Sequence, residues 1–156
     1  MRCSTTTTRG HGLGSVRRFR GRRSGDSAQH RETQPPQLHY EIGRRLRPLR
    51  DSGVLVIGSG DVVHNLHAYA WGGHPVEPHD WAARFEATAR ALIEKREHPP
   101  LIDYGSLGQD AVLAVPTPEH YLPLYVLGAG AEDERIEFPV QGVDGGSVSM
   151  LAMRLG

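Results

Sequence analysis

Four consecutive apolar residues, Val54-Leu55-Val56-Ile57, run directly into Gly58-Ser59-Gly60. A short apolar run without alternation predicts a central strand buried on both faces. The glycine-serine step then predicts a loop of small residues at the carboxyl end of that strand, where open α/β sheets place their ligands. His64 follows the loop and lands at this edge.

The surrounding chain supplies further elements. Leu38, Ile42, Leu46 and Leu49 recur at helical spacing with Arg44, Arg45 and Arg47 between them, predicting an amphipathic helix to about Arg50 that Pro48 bends or shortens. A second helix opens at Pro78-His79-Asp80, with Asp80 as its cap and Trp81, Phe85, Leu92 and Ile93 on one face through about Arg96; Pro99-Pro100 ends it. A helical turn after Pro118 carries His120, Leu124 and Leu127, with Pro123 in its first turn. Residues 136–141 and 147–155 read as two closing strands joined by a hairpin turn at Val143-Asp144-Gly145-Gly146. The pattern predicts an α/β fold, a mixed sheet flanked by helices.

The first 37 residues are of another kind. They hold eight arginines against Asp26 and Glu32, a net of +6 in a chain of formal net charge zero. They lack apolar residues at either structural period, so they cannot bury enough surface to offset ordering entropy, and a disordered basic leader is expected at 1–37. Arginine clusters neutralise phosphates, but a solvated tail is the simpler reading and nucleic acid is not an expected partner. Out-of-frame translation is a further explanation of the abrupt change in composition at Pro36. The remaining residues, 38–156, suit one folded unit.

Several classes drop out. No apolar stretch approaches the roughly 20 residues that a membrane-spanning helix needs, and the amino end lacks the apolar core of a secretory signal. A cytoplasmic protein is the default. Cys3 is the only cysteine, which excludes a disulfide framework within the chain and any cysteine-rich zinc module. A bound metal would have to be held by histidines and carboxylates.

There are nine histidines. His11 and His30 lie in the leader, while His39, His79 and His98 fall at helix ends where partly exposed imidazoles are common. His64 and His120 differ, because a strand and glycine loop position the first and a Pro-Thr-Pro turn the second. His64-Asn65-Leu66-His67 also has an i, i+3 spacing able to direct two imidazoles to one metal, yet without a third ligand chance explains His67 better. Ser59 is not a hydrolase nucleophile on this pattern, since its glycines adjoin it directly rather than in G-x-S-x-G order. A dinucleotide loop fails too, with Val63 where the third glycine should stand.

The string Gly53-Val-Leu-Val-Ile-Gly-Ser-Gly-Asp-Val-Val-His-Asn-Leu66 resembles the strand, loop and active-site histidine of the class III extradiol ring-cleavage dioxygenases of the DOPA 4,5-dioxygenase type. Leu38-His-Tyr-Glu-Ile-Gly43, Pro116-Thr-Pro-Glu-His-Tyr-Leu-Pro-Leu124 and Gly146-Ser-Val-Ser-Met150 resemble other segments of that family in the same order. The likeness covers residues 38–156 and corresponds to the C-terminal half of the family's catalytic domain. It implies a mononuclear non-haem site for Fe2+, with Zn2+ in some relatives, a catechol-type aromatic substrate and O2. On that likeness His120 is a metal ligand, and His64 is a ligand or the catalytic acid/base beside metal and substrate. A divalent metal holds both catechol oxygens and leaves positions for dioxygen, while an imidazole titrating near neutrality moves protons.

The family carries further histidine ligands in an N-terminal half that these residues do not match, and neither His11 nor His67 takes their place. A competing expectation is therefore a catalytically inactive fragment acting as an interaction or structural protein. Its exposed half-domain surface would then lead to self-association.

Overall fold

The structure, a computed structural model, describes residues 15–19, 27–29, 34–73 and 76–156. Helix α1, Pro36–Asp51, starts with Pro36, whose fixed φ and missing N–H suit a first helical position. It closes at Ser52, and Gly53 at φ +75° turns the chain into β3, Leu55–Gly58. Two earlier strands, β1 (Ser15–Phe19) and β2 (Ser27–Gln29), lie within the segment expected to be a disordered leader. The sheet order is β2-β1-β3, with both pairings antiparallel. The rest of residues 1–33 lies outside the described residues.

Two expectations are corrected here. The first concerns β3, which stands at the edge of its sheet rather than the centre, with Leu55 58% and Ile57 36% exposed. Apolar, β-branched composition favours a strand, but it carries no information about what covers each face. The second concerns α1. Its buried residues are His39 and Gly43, whereas Leu38, Ile42 and Leu49 of the apolar row stay about two-fifths exposed. The reason is backbone proximity. A Cβ on Gly43 would sit 2.1 Å from the Tyr125 carbonyl oxygen, and one on Gly128 would sit 2.8 Å from that of Tyr40. Two glycines thus let α1 lie directly on the 3-10 helix Leu122–Ala129, and this contact decides which side faces inward.

Helix α2, Asp80–Glu94, buries Ala82, Phe85, Ala89 and Ile93. Asp80 is its first residue rather than its cap; His79 holds the cap position without a side-chain cap bond. A carboxylate in the first turn still complements the helix dipole. The helix ends in a Schellman arrangement, Arg96 N–H to Ile93 O at 3.0 Å and Glu97 N–H to Leu92 O at 2.9 Å. Arg96 takes the positive φ, +57°, that glycine usually supplies there. Its guanidinium donates to the carbonyls of Ala131 and Glu134, contacts a glycine would lack. Pro99 and Pro100 do not terminate α2 but begin α3, His98–Ile102. The 3-10 helix Tyr104–Leu107 and α4, Gln109–Ala114, follow.

The carboxyl end forms two small antiparallel pairs instead of one hairpin. Strand β4 (Ile136–Val140) pairs with β7 (Ala152–Leu155) through an irregularity between Glu137 and Val140. Between them β5 (Val143–Asp144) and β6 (Val148–Ser149) close over Gly145 and Gly146 at φ +54° and +84°. Two successive positive φ values make a type I′ turn, which the Gly-Gly pair accommodates at no steric cost. Helices and small sheets thus build the expected α/β architecture. The core gathers Val63, Phe85, Ile93, Leu101, Tyr121, Leu122 and Tyr125 between α2, α3, α4 and the 3-10 helix Leu122–Ala129. Tyr121 and Tyr125 both donate to the Leu101 carbonyl at 3.1 Å, which satisfies two phenols that burial pushes far above their ordinary pKa. No helix among the described residues is long and apolar enough to cross a membrane.

Candidate functional site

The glycine loop after β3 is small because it lies on backbone. A Cβ on Gly58 would approach the Pro123 carbonyl oxygen to 2.3 Å, and one on Gly60 would approach that of His120 to 2.1 Å. The Asp61 N–H donates to the same His120 carbonyl at 2.8 Å. The loop and the Pro-Thr-Pro turn are therefore fastened together. His120 sits, as expected, in a helical turn after Pro118, where the Tyr121 and Leu122 N–H groups both close on Pro118 O at 2.9 Å, ahead of the 3-10 helix Leu122–Ala129.

His64 is held from three directions. Its N–H donates to Ala114 O at 2.9 Å, and it forms an isolated antiparallel bridge with Val148. The Ser149 N–H reaches Val63 O at 2.9 Å, and the Ser147 hydroxyl donates to Asn65 O at 2.7 Å. Asn65 completes the clamp. Its side-chain amide donates to Leu113 O at 2.8 Å, while its Oδ1 accepts from the N–H groups of His67 and Ala68.

His64 is only 4% exposed. Its Nε2 lies 2.7 Å from the Thr117 carbonyl oxygen. A carbonyl only accepts, so Nε2 carries the proton and, in the neutral ring, Nδ1 holds the lone pair. Nδ1 is buried and has no hydrogen-bond partner among the described residues. A buried acceptor left unmet is uncommon enough to require an explanation.

The His120 ring stands beside it, with centroids 5.1 Å apart and planes tilted by 52°. His120 is exposed where His64 is buried. Burial lowers the pKa of His64; the Thr117 carbonyl partly opposes this, and the neighbouring His120 adds to the lowering. Burial also raises the Asp61 carboxyl, an effect that His120 and His64 partly offset. Glu119 ends below its ordinary value: burial pushes it up, but the Thr117 hydroxyl, its own N–H and the two imidazoles outweigh that.

A cleft of about 250 Å3 opens beside this cluster, lined by Gly60, Asp61 and His120 at the site and by apolar Leu55, Ile57 and Leu124 along β3 and the 3-10 helix Leu122–Ala129. His64 lies outside that lining.

Both predicted site histidines therefore meet. The others do not join them: His67 is exposed, His79 stacks on Trp81 with its Nε2 3.3 Å from Ala68 O, and His98 pairs with the Tyr40 hydroxyl at 2.6 Å. His11, His30 and His74 lie outside the described residues. Asn65, Asp61, Thr117 and Glu119 were not singled out from sequence, although each stands within three residues of one of the two histidines. Among the described residues, no three of histidine, cysteine, aspartate and glutamate converge to hold a metal ion. The fold offers two imidazoles, one with an unmet buried nitrogen.

No protein-family model matches the sequence. A curated protein from Escherichia coli K12 named 4,5-DOPA dioxygenase extradiol is 42% identical over 128 residues, covering 80% of this chain and 46% of its own length. Over 80% of its length the chain is homologous to extradiol dioxygenases of that name. A protein of the same name from Beta vulgaris is 35% identical over 112 residues, covering 71% of this chain and 41% of its own. A solved structure of an uncharacterized E. coli K12 protein superposes with a TM-score of 0.74 at 42% identity, over 80% of this chain and 52% of that one. The chain thus shares the fold of the matched half of that structure and spans about half the length of the curated proteins it matches.

Proposed function

We propose that the chain carries part of the active site of an extradiol dioxygenase that opens a catechol-type ring beside its two hydroxyls with O2, at a non-haem Fe2+ or, alternatively, a Zn2+ site. The observation supporting this is the 5.1 Å approach of the His64 and His120 rings beside a buried Nδ1 without a partner among the described residues. His64 and His120 would hold the metal. When bound, the metal supplies a cationic centre that orients catechol oxygens and dioxygen together.

This chain's residues do the remaining work. The Thr117 carbonyl sets the tautomer and orientation of His64, as partners of metal-binding histidines commonly do. Burial keeps that ring neutral at pH 7 and its lone pair available. His120 and Asp61 face the cleft, whose apolar wall of Leu55, Ile57 and Leu124 suits an aromatic ring. The Nδ1 lone pair of His64 either binds the metal or accepts the catechol proton, since one lone pair cannot do both at once.

The test is oxygen uptake and a yellow ring-opened product when the chain, loaded anaerobically with Fe2+, meets a catechol and O2. His120→Ala should abolish both, and a wild-type chain giving neither signal overturns the reading. Metal titration separates the roles of His64. His64→Ala weakens metal binding if the ring is a ligand and spares it if the ring is a base. A non-catalytic interaction or structural protein is the second reading, favoured by the two donors found among the described residues where a full site needs three or more. It predicts metal affinity unchanged in the combined His64→Ala and His120→Ala variant.

A further inference from the structure

Helix α1 has a second side that stays partly open to solvent. Along it run Leu38, Ile42 and Leu49, 42%, 41% and 38% exposed, with Arg45 completing a four-three-four spacing. At 3.6 residues per turn these four positions fall within about 60° of arc. The row is distinct from the His39 and Gly43 side that meets the 3-10 helix Leu122–Ala129.

We propose that this row is the contact surface of a homodimer in which α1 of one copy lies antiparallel on α1 of a second. A two-fold contact sets a patch against itself, so the patch must be self-complementary. In the register that puts Ile42 opposite the partner's Arg45, Leu38 falls opposite the partner's Leu49. Both apolar ends are then covered, and Ile42 packs on the aliphatic stem of the arginine. Glu41, next to Ile42, falls beside the partner's Arg45, so each contact gains two symmetric ion pairs. The parallel arrangement would set Arg45 against itself and leaves no such match. Among the described residues of one chain Arg45 makes no ion pair, whereas Glu41 takes Gln37 and Arg44 on its two oxygens. One helix row is a small contact beside the roughly 800 Å2 per partner of standard interfaces, so the association is weak, with a dissociation constant on the order of 100 μM.

Sedimentation equilibrium of the full chain from about 5 to 500 μM should show a reversible monomer–dimer transition. Ile42→Glu should raise the dissociation constant by about tenfold or more, and Arg45→Glu by about fivefold. Combining Glu41→Arg with Arg45→Glu should restore the wild-type value within about threefold. Circular dichroism should not change, because the substituted side chains are exposed. Should Ile42→Glu fail to fold, the charge exchange, which keeps the apolar row intact, decides alone. A monomer throughout the range, a dimer indifferent to Arg45→Glu, or a double variant weaker than the single one overturns the proposal.

Discussion

The segment around His64 and the exposed apolar residues of α1 and β3 are opposites. Around His64 a charged-capable side chain is sealed in, and nearly every polar group has a partner. On α1 and β3, Leu38, Ile42, Leu49, Leu55 and Ile57 remain open to solvent. Hydrophobicity alone would have assigned the two environments the other way round. The difference shows that burial here follows where backbones touch, and glycines mark those places.

Substitutions should divide the two regions by size of effect. Gly60→Ala forces a methyl to 2.1 Å from the His120 carbonyl oxygen, with backbone as the obstacle, so the loop or the turn must move. Urea unfolding should show a loss of about 3 kcal/mol or more, or no folded protein. A loss under about 1 kcal/mol would mean that the contact yields easily. Asn65→Ala removes one donor and one doubly used acceptor from the clamp on His64, leaving the Leu113 carbonyl unmet. The expected cost is about 1–3 kcal/mol, read by the same method.

Glu134 provides a pH-dependent intermediate case. Its carboxyl is held below the ordinary value chiefly by the Arg50 guanidinium at 2.7 Å, against a burial effect in the other direction. A depressed folded pKa contributes stability that is present above the unfolded value and lost as pH falls through the folded one. Glu134→Gln should therefore be about 1 kcal/mol less stable near pH 7. That gap should close as the pH drops below the ordinary carboxylate range. Thermal melts of both proteins between about pH 2 and pH 7 would check this, and a gap independent of pH would contradict it. At the smallest end, Leu55→Ser, at the exposed mouth of the cleft, should change stability by less than about 0.5 kcal/mol. A larger loss in urea unfolding would show that this residue is covered in solution.

Much of the molecule was legible before its structure. The α1 and α2 spans follow from helical spacing, and β3 from an apolar run beside glycines. His64 and His120 stood out because their neighbours are segments that hold a side chain in place. The side of α1 that turns inward was not legible, since Gly43 carries no apolar signal and its importance lies in Tyr125 being 82 residues further along. Nor could the split of the closing hairpin into two pairs be read, because alternation in residues 147–155 does not reveal which partner each part finds.

Local chemistry in the chain determined its elements, its turns and the two imidazoles worth watching, because propensity and spacing act over a few residues. Only the tertiary structure decided that those rings lie side by side, that Thr117 aims one of them and leaves its Nδ1 unmet, and that the apolar row of α1 faces out. These depend on contacts between residues far apart in sequence, whose energies no local pattern encodes.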